Sequence, residues 1–314
     1  MRILVVGAGA TGGYFGGRLA HAGRDITFLV RPRRAEHLAT SGLRIRSAFG
    51  DVYLPAPQTI QSAQIAQPFD LILLSCKAYD LDDAIAAFAA AVGPDTTILP
   101  VLNGMRHLEV LDSNFGRNRV IGGQCVIAAT VDEHGAIVHL NRAHSVTFGE
   151  RDGTISQRCR RIAEQMENAG FDSRLSDSIV QDMWEKWVFL ATLAGATCTM
   201  RASIGDILAA PAGHAFITKL YDECREIAAA NGFEPRAPST EQALKMLTQP
   251  GSELTASMLR DIERNAKIEA DHIIGDLLAR RTLALQQNRL SLLDVALAHL
   301  KAYEARQHRG DGAA

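Results

Sequence analysis

The order of apolar patterns along these 314 residues predicts an α/β domain followed by an all-α domain. Three observations carry this. Short apolar runs alternate with helical stretches up to about residue 176. A glycine-rich turn joins the first run to the first helix. From about Ser178 the strand patterns nearly vanish and helical ones follow one another. Residues 1–176 are accordingly expected to form the first domain and 177–314 the second.

Each element has its own signal. ILVV (3–6) reads as a strand, and the helix after the glycine turn runs to about His21. DITFLV (25–30) is the second strand. FDLILLSC (69–76) is a continuous apolar run ending at Lys77, as in a strand buried on both faces. DLDDAIAAFAAAVG (80–93) is a helix with a glycine stop, and TTILPVLNG (96–104) a strand ending at Asn103. VIGGQCVIAATV, AIVHL and SVTFGE read as three shorter strands, with a turn at His134-Gly135. TISQRCRRIAEQMENAG (154–170) is a capped helix, and SRLSD (173–177) an edge strand. Helical patterns then cover 178–200, 212–231, 239–248, 254–265, 267–287 and 291–306, and RQHRGDGAA reads as a frayed tail.

Composition narrows the function classes. With 33 basic against 35 acidic residues the net charge is -2, so no global field favours nucleic acid or an anionic membrane. The longest uncharged run is too short to span a bilayer, and no basic region leads to a cleavage site, so the cytoplasm is the expected location. Five scattered cysteines without a CxxC pair suggest neither a disulfide framework nor a zinc site. His214 and His272 lack a second ligand at metal spacing, so no metal is expected, and no GxSxG elbow points to hydrolysis.

GAGATGG (7–13) follows a strand and opens a helix, the setting a dinucleotide fingerprint requires. Gly7 permits the tight turn, Gly9 lets the backbone approach a pyrophosphate, and Gly12 lets helix and strand pack closely. With Ala8, Ala10 and Thr11 between them, they place the anion at a helix N-terminus. The first domain is therefore expected to be a Rossmann domain. At the end of the second strand, where an acid would bind the ribose of NAD, the chain reads FLVRPRR. Arg31 takes that place, with Arg33 and Arg34 behind it, and guanidinium groups suit the 2′-phosphate of NADP. Lys77 and Asn103 each read equally as a loop or turn residue. Together on one rim of one sheet they point to the nicotinamide end of the cofactor.

In the helical half, Lys186 heads an apolar run and shares its helix face with Leu190, Leu193 and Thr197. A ketone reductase needs a cation or acid at the developing alkoxide, and lysine supplies both. Taken alone, a surface lysine beside Glu185 is the simpler reading. Glu269 heads a helix carrying Ile273, Ile274 and Leu277, and Ser257 stands twelve residues before it. As isolated residues these read as a solvated charge and a helix cap.

Together, GAGATGG with Arg31, CKAYD, LNGM, WEKW, and SMLRDI followed by IEADHIIG resemble the ketopantoate reductase (2-dehydropantoate 2-reductase) family over nearly the whole length. The resemblance implies a Rossmann domain joined to an all-helical one, with NADPH and a small 2-oxo acid in the cleft between them. It implies that Lys186 is the general acid and that Glu269 helps bind cofactor and substrate. It likewise implies that Lys77 and Asn103 contact the cofactor near the reacting carbon, Asn103 also facing substrate, and that Ser257 contacts the substrate carboxylate. The reaction implied is reduction of 2-dehydropantoate to (R)-pantoate, a step of pantothenate biosynthesis. The chain departs from the family where relatives often carry asparagine, at Leu190, Ala194 and Ile204, and it has Ile268 for the threonine before the glutamate. Fewer hydrogen bonds on that wall redirect specificity towards a more apolar 2-oxo acid. A non-catalytic NADP(H) sensor would keep the glycine loop without needing Lys186. The amphipathic helices of the second half offer an interface for a homodimer.

Overall fold

The computed structural model of the protein describes residues 1–282 and 290–311. They divide into two compact units: Met1–Leu102 with His107–Val180, and Asn103–Arg106 with the described residues from Gln181 onward.

Unit 1 is built on β1 (Arg2–Val6), α1 (Ala10–His21), β2 (Asp25–Leu29), α2 (Pro32–Ser41), β3 (Leu43–Arg46), β4 (Val52–Leu54), β5 (Thr59–Ile60), β6 (Leu71–Leu74), α3 (Leu81–Phe88), β7 (Thr97–Pro100), α4 (Arg106–Phe115), β8 (Gly122–Val131), β9 (Ile137–Gly149), α5 (Gln157–Met166) and β10 (Asp172–Leu175). Five strands form a parallel sheet in the order β5-β2-β1-β6-β7. This is the Rossmann order, with its switch point between β1 and β6. A second sheet runs β10-β9-β3-β4, with β8 antiparallel to β9. Helix α1 lies between the two. Tyr14, Phe15 and Leu19 join a core that takes Val5 and Phe28 from the first sheet and Leu43, Ile137 and Phe148 from the second.

Three expectations are corrected here. AIVHL and SVTFGE are one strand, β9, which carries Leu140, Asn141 and Arg142 through on exposed positions, so the polarity of Asn141 and Arg142 marks solvent and not a loop. β7 stops at Pro100 and β6 at Leu74, so Asn103 and Lys77 each stand three residues beyond their strands. Four elements, α2, β3, β4 and β5, form in the interval between Val30 and Phe69, where no elements were expected. The turn at His134-Gly135 is present: Gly135 has φ 76°, and the Asp132 carboxylate accepts the N–H groups of His134 and Ala136.

Unit 2 is helical: α6 (Ile179–Met200), α7 (Ile204–Ala209), α8 (Gly213–Ala230), α9 (Ala237–Leu247), α10 (Ser257–Glu263), a π-helical turn (Asp271–Gly275) continued by α11 (Asp276–Ala279), and α12 (Leu292–Asp311). The pattern read over 267–287 becomes this π turn and α11; its last residues, from 283, lie outside the described residues, as does the end of the tail. No helix among the described residues is long and apolar enough to cross a membrane. The six-residue α7 was not foreseen. It is closed by a capping box in which Ser203 and Asp206 satisfy each other's backbone N–H groups. Ser257 is not a cap: Ala256 holds that position and Ser257 is the exposed first residue of α10.

Candidate functional site

In unit 1 the glycine loop meets the physical demands of its motif. Gly7 has φ 92°, a conformation other residues rarely adopt, and its N–H donates to the carbonyl of Leu29 at 2.9 Å. A side chain at Gly12 would collide with the Ser75 hydroxyl and the Gly7 carbonyl, so only glycine lets α1 seat on the β1 and β6 ends. Gly9 is different, because a side chain there would meet nothing within 4 Å. It is exposed and occupies the N-cap of α1 without any side-chain cap. The first turn of α1, with Ala10 and Thr11 half-buried and Ala8 buried, thus directs its dipole and N–H groups to an open space. Such a cradle fits a dinucleotide pyrophosphate.

Around it stand the cationic candidates. Arg31 caps α2 and is 73% exposed, its guanidinium 3.3 Å from Asp80 and 3.7 Å from Asp83. Arg34 serves otherwise: its Nε–H donates to the Ala8 carbonyl and its other N–H groups to Gly135, tying the glycine loop to the β8–β9 turn. Arg33 is exposed. Lys77 is half-buried at the head of a single 3₁₀ turn, Ala78–Asp80, directly after the β6 end. The loop, Arg31 and Lys77 are therefore gathered on the C-terminal edge of one sheet, where open α/β sheets bind ligands.

In unit 2 the candidates are Asn103, Lys186, Ser257 and Glu269. Lys186 is half-buried, one turn before the half-buried Leu190, with Leu193, Ala194 and Thr197 buried further along α6. The Thr197 hydroxyl donates to the Leu193 carbonyl at 2.7 Å and accepts the Ala256 N–H at 3.3 Å. That second bond ties the start of α10, and so Ser257, to the far end of the face that Lys186 heads. Ile204 is fully buried. Glu269 is buried just ahead of the π turn, its carbonyl accepting the Ile273 N–H at 3.0 Å.

A family model described as ketopantoate reductase PanE/ApbA matches residues 3–153, and its C-terminal counterpart matches 178–288. The chain belongs to the ketopantoate reductase family. An uncharacterized oxidoreductase of Bacillus subtilis, YkpB, is 36% identical over 309 residues, covering 97% of this chain and 99% of that one. The 2-dehydropantoate 2-reductase of Archaeoglobus fulgidus is 28% identical over 274 residues, covering 87% and 88%. The crystal structure of 2-dehydropantoate 2-reductase from Geobacter metallireducens GS-15 superposes with a TM-score of 0.87 at 28% identity, over 96% of this chain and 99% of that one. This member of the ketopantoate reductase family is thus an oxidoreductase with a Rossmann-like domain and a helical domain.

Two residues of this family member escaped the sequence reading. Arg236, at the N-cap of α9, donates to both carboxylate oxygens of Glu185 at 2.7 Å and also to Asp182. Burial pushes the Glu185 carboxyl up, but the hydrogen bonds from Arg236 and Gln181 together hold it below the usual range. Glu185, read from sequence as company for Lys186, is therefore engaged by α9. Nothing local in the sequence announces a partner 51 residues away. The other residue is His272, whose Nε2–H donates to the backbone carbonyl of Asn103, 169 positions away.

Proposed function

We propose that this chain reduces a 2-oxo acid to the 2-hydroxy acid with NADPH, 2-dehydropantoate being the foremost substrate and pantothenate biosynthesis the setting. The observation that carries the reading is Lys186, a half-buried lysine at the head of an α6 face that continues with Leu190, Leu193 and Ala194. The dinucleotide, when bound, supplies the hydride to the ketone carbon. As the C=O π pair moves onto oxygen, the Lys186 ammonium stabilises the developing charge and gives up a proton to it, and solvent later reprotonates the amine. The turn from Gly7 to Gly12 would hold the pyrophosphate and Arg31 the 2′-phosphate, the guanidinium leaving Asp80 and Asp83 to do so. In unit 1 Lys77 would contact the cofactor; in unit 2 Asn103 would do so as well, Glu269 would help bind cofactor and substrate, and Ser257 would donate to the substrate carboxylate.

A second reading keeps the chemistry and changes the acid. Leu190, Ala194 and the buried Ile204 offer no hydrogen bond to a hydroxylated substrate, which favours an apolar 2-oxo acid. Oxidation of NADPH and of NADH, followed with 2-dehydropantoate beside branched and linear 2-oxo acids, separates the two. A clear preference for 2-dehydropantoate supports the first reading, and comparable rates for several acids support the second. Tight NADPH binding without oxidation by any acid overturns both in favour of a cofactor sensor.

A further inference from the structure

We infer that His272 is a positioning residue for Asn103, and that the π turn carrying it is the device that aligns the groups assigned above to the reaction. The inference rests on that reading for what Asn103 does, and on geometry for the rest. The His272 Nε2–H donates to the Asn103 carbonyl at 2.5 Å. A carbonyl only accepts, so the imidazole must carry its proton on Nε2. Burial pulls the His272 pKa down, against the opposing influence of Glu269, the Asn103 carbonyl and Asp276, with Arg106 adding to the decrease. The ring is therefore neutral near pH 7 and has a single N–H to give.

The peptide after Asn103 is held from its other side by Gly104. This glycine has φ 72°, and a side chain on it would lie 2.9 Å from the His272 carbonyl oxygen and 3.0 Å from its Cδ2. The imidazole thus packs where any larger residue would place its Cβ. A left-handed glycine and a short hydrogen bond together fix the plane from which the Asn103 amide projects.

The same turn reaches the other assigned residues. Its Ile273 N–H donates to the carbonyl of Glu269, and its Ile273 carbonyl accepts the Trp187 indole N–H at 2.9 Å. Trp187 is the residue after Lys186. Outside, Lys301 holds Asp271 at 2.7 Å. A π turn adds a residue to the helical repeat, which lets the side chain of His272 and the carbonyl of Ile273 reach Asn103 and Trp187 from consecutive positions. Asn103, the Lys186 segment and Glu269 are each one covalent or hydrogen-bonded step from these five residues.

The test uses wild type, Asn103→Ala, His272→Phe and the double variant, with His272→Gln as the conservative replacement that keeps an N–H donor. NADPH affinity is read by fluorescence titration and kcat with whichever 2-oxo acid the wild type reduces. His272→Phe should weaken NADPH binding or lower kcat about tenfold, as expected for one well-placed hydrogen bond. His272→Gln should recover most of that loss. In the Asn103→Ala background, His272→Phe should add less than about twofold, because the group it positions is gone. Equal losses in both backgrounds, or none in either, overturn the inference. If the wild type reduces no 2-oxo acid, the proposed function fails, yet the NADPH cycle still decides the role of His272. Should His272→Phe not fold, nitrogen NMR of the wild-type imidazole decides: an Nε2–H tautomer supports the inference, and an Nδ1–H tautomer contradicts it.

Discussion

Replacing Arg236 with methionine removes a charge and keeps most of the side chain's bulk. In the native protein its guanidinium bridges two carboxylates whose side chains are only 4% and 9% exposed, Asp182 and Glu185, while Arg236 is itself 48% exposed. Breaking a buried pair costs about 3–5 kcal/mol when nothing else compensates the remaining charge, and here Gln181 and the position-236 N–H still serve Glu185. A half-exposed guanidinium is already screened by water, which moves the expected cost to the low end, about 3 kcal/mol. For a chain of 314 residues unfolding with about 2.1 cal/mol/K per residue, that corresponds to a Tm lower by about 4–5 °C. The pH dependence has a definite sign. The native Glu185 carboxyl lies below its usual 4.5, so its stabilisation is complete above pH 4.5 and is lost as pH falls through the native value. In the variant the carboxylates lose the guanidinium, Glu185 keeping the bonds from Gln181 and the position-236 N–H, and they gain protons more readily, so the gap to wild type narrows in acid. Denaturant unfolding followed by tryptophan fluorescence is the assay. The protein has two tryptophans, Trp184 and Trp187, with ring centroids 5.0 Å apart on the helix that carries the clamp. A loss below about 1 kcal/mol, the size of a surface ion pair, would refute this account of the clamp.

Two further outcomes are expected. Gly12→Ala forces its methyl group into Ser75 and Gly7, and should abolish NADPH binding and cost about 1–3 kcal/mol. Gly9→Ala meets open space and should leave stability within about 0.5 kcal/mol while still weakening NADPH, so equal destabilisation of both variants would contradict the assigned roles. Stability should also fall in acid in two stages. Burial holds the pKa values of His144, His272 and His299 below 6.5, so their contribution is complete above pH 6.5 and declines as pH falls through the native values. Glu150 and Glu185 add a second decline below about pH 4.5. A Tm that stays flat from about pH 7 to 5 would rule out the histidine part.

What the sequence revealed, and what it hid, follows from how local each interaction is. The first strand, the glycine loop and α1 were legible because consecutive residues carry the whole signal: buried β1, then Gly7 and Gly12 with their steric demands, then an apolar helix. Helix α6 was legible from its long apolar run. The short strands β3, β4 and β5 were not, since two to four residues give little periodicity. Strand β9 was split because its middle faces solvent, while His139 and His144 turn inward to Tyr14. Among the site candidates, Lys186 and the glycine loop were visible as residues. Arg236 was not, and His272 was visible only as a histidine without a metal-ligand spacing, because the partners of the two lie 51 and 169 positions away. The cap reading of Ser257 in isolation does not hold, because Ala256 takes the N-cap and position within α10, not residue type, decides which backbone N–H groups a side chain can serve.

The central claim is that Lys186 is the acid of a 2-oxo acid reductase, and its most direct test is the kcat of Lys186→Ala with NADPH and the best 2-oxo acid substrate. A fall of roughly 10²-fold or more, with NADPH affinity preserved, is the expected result. An unchanged kcat would contradict it.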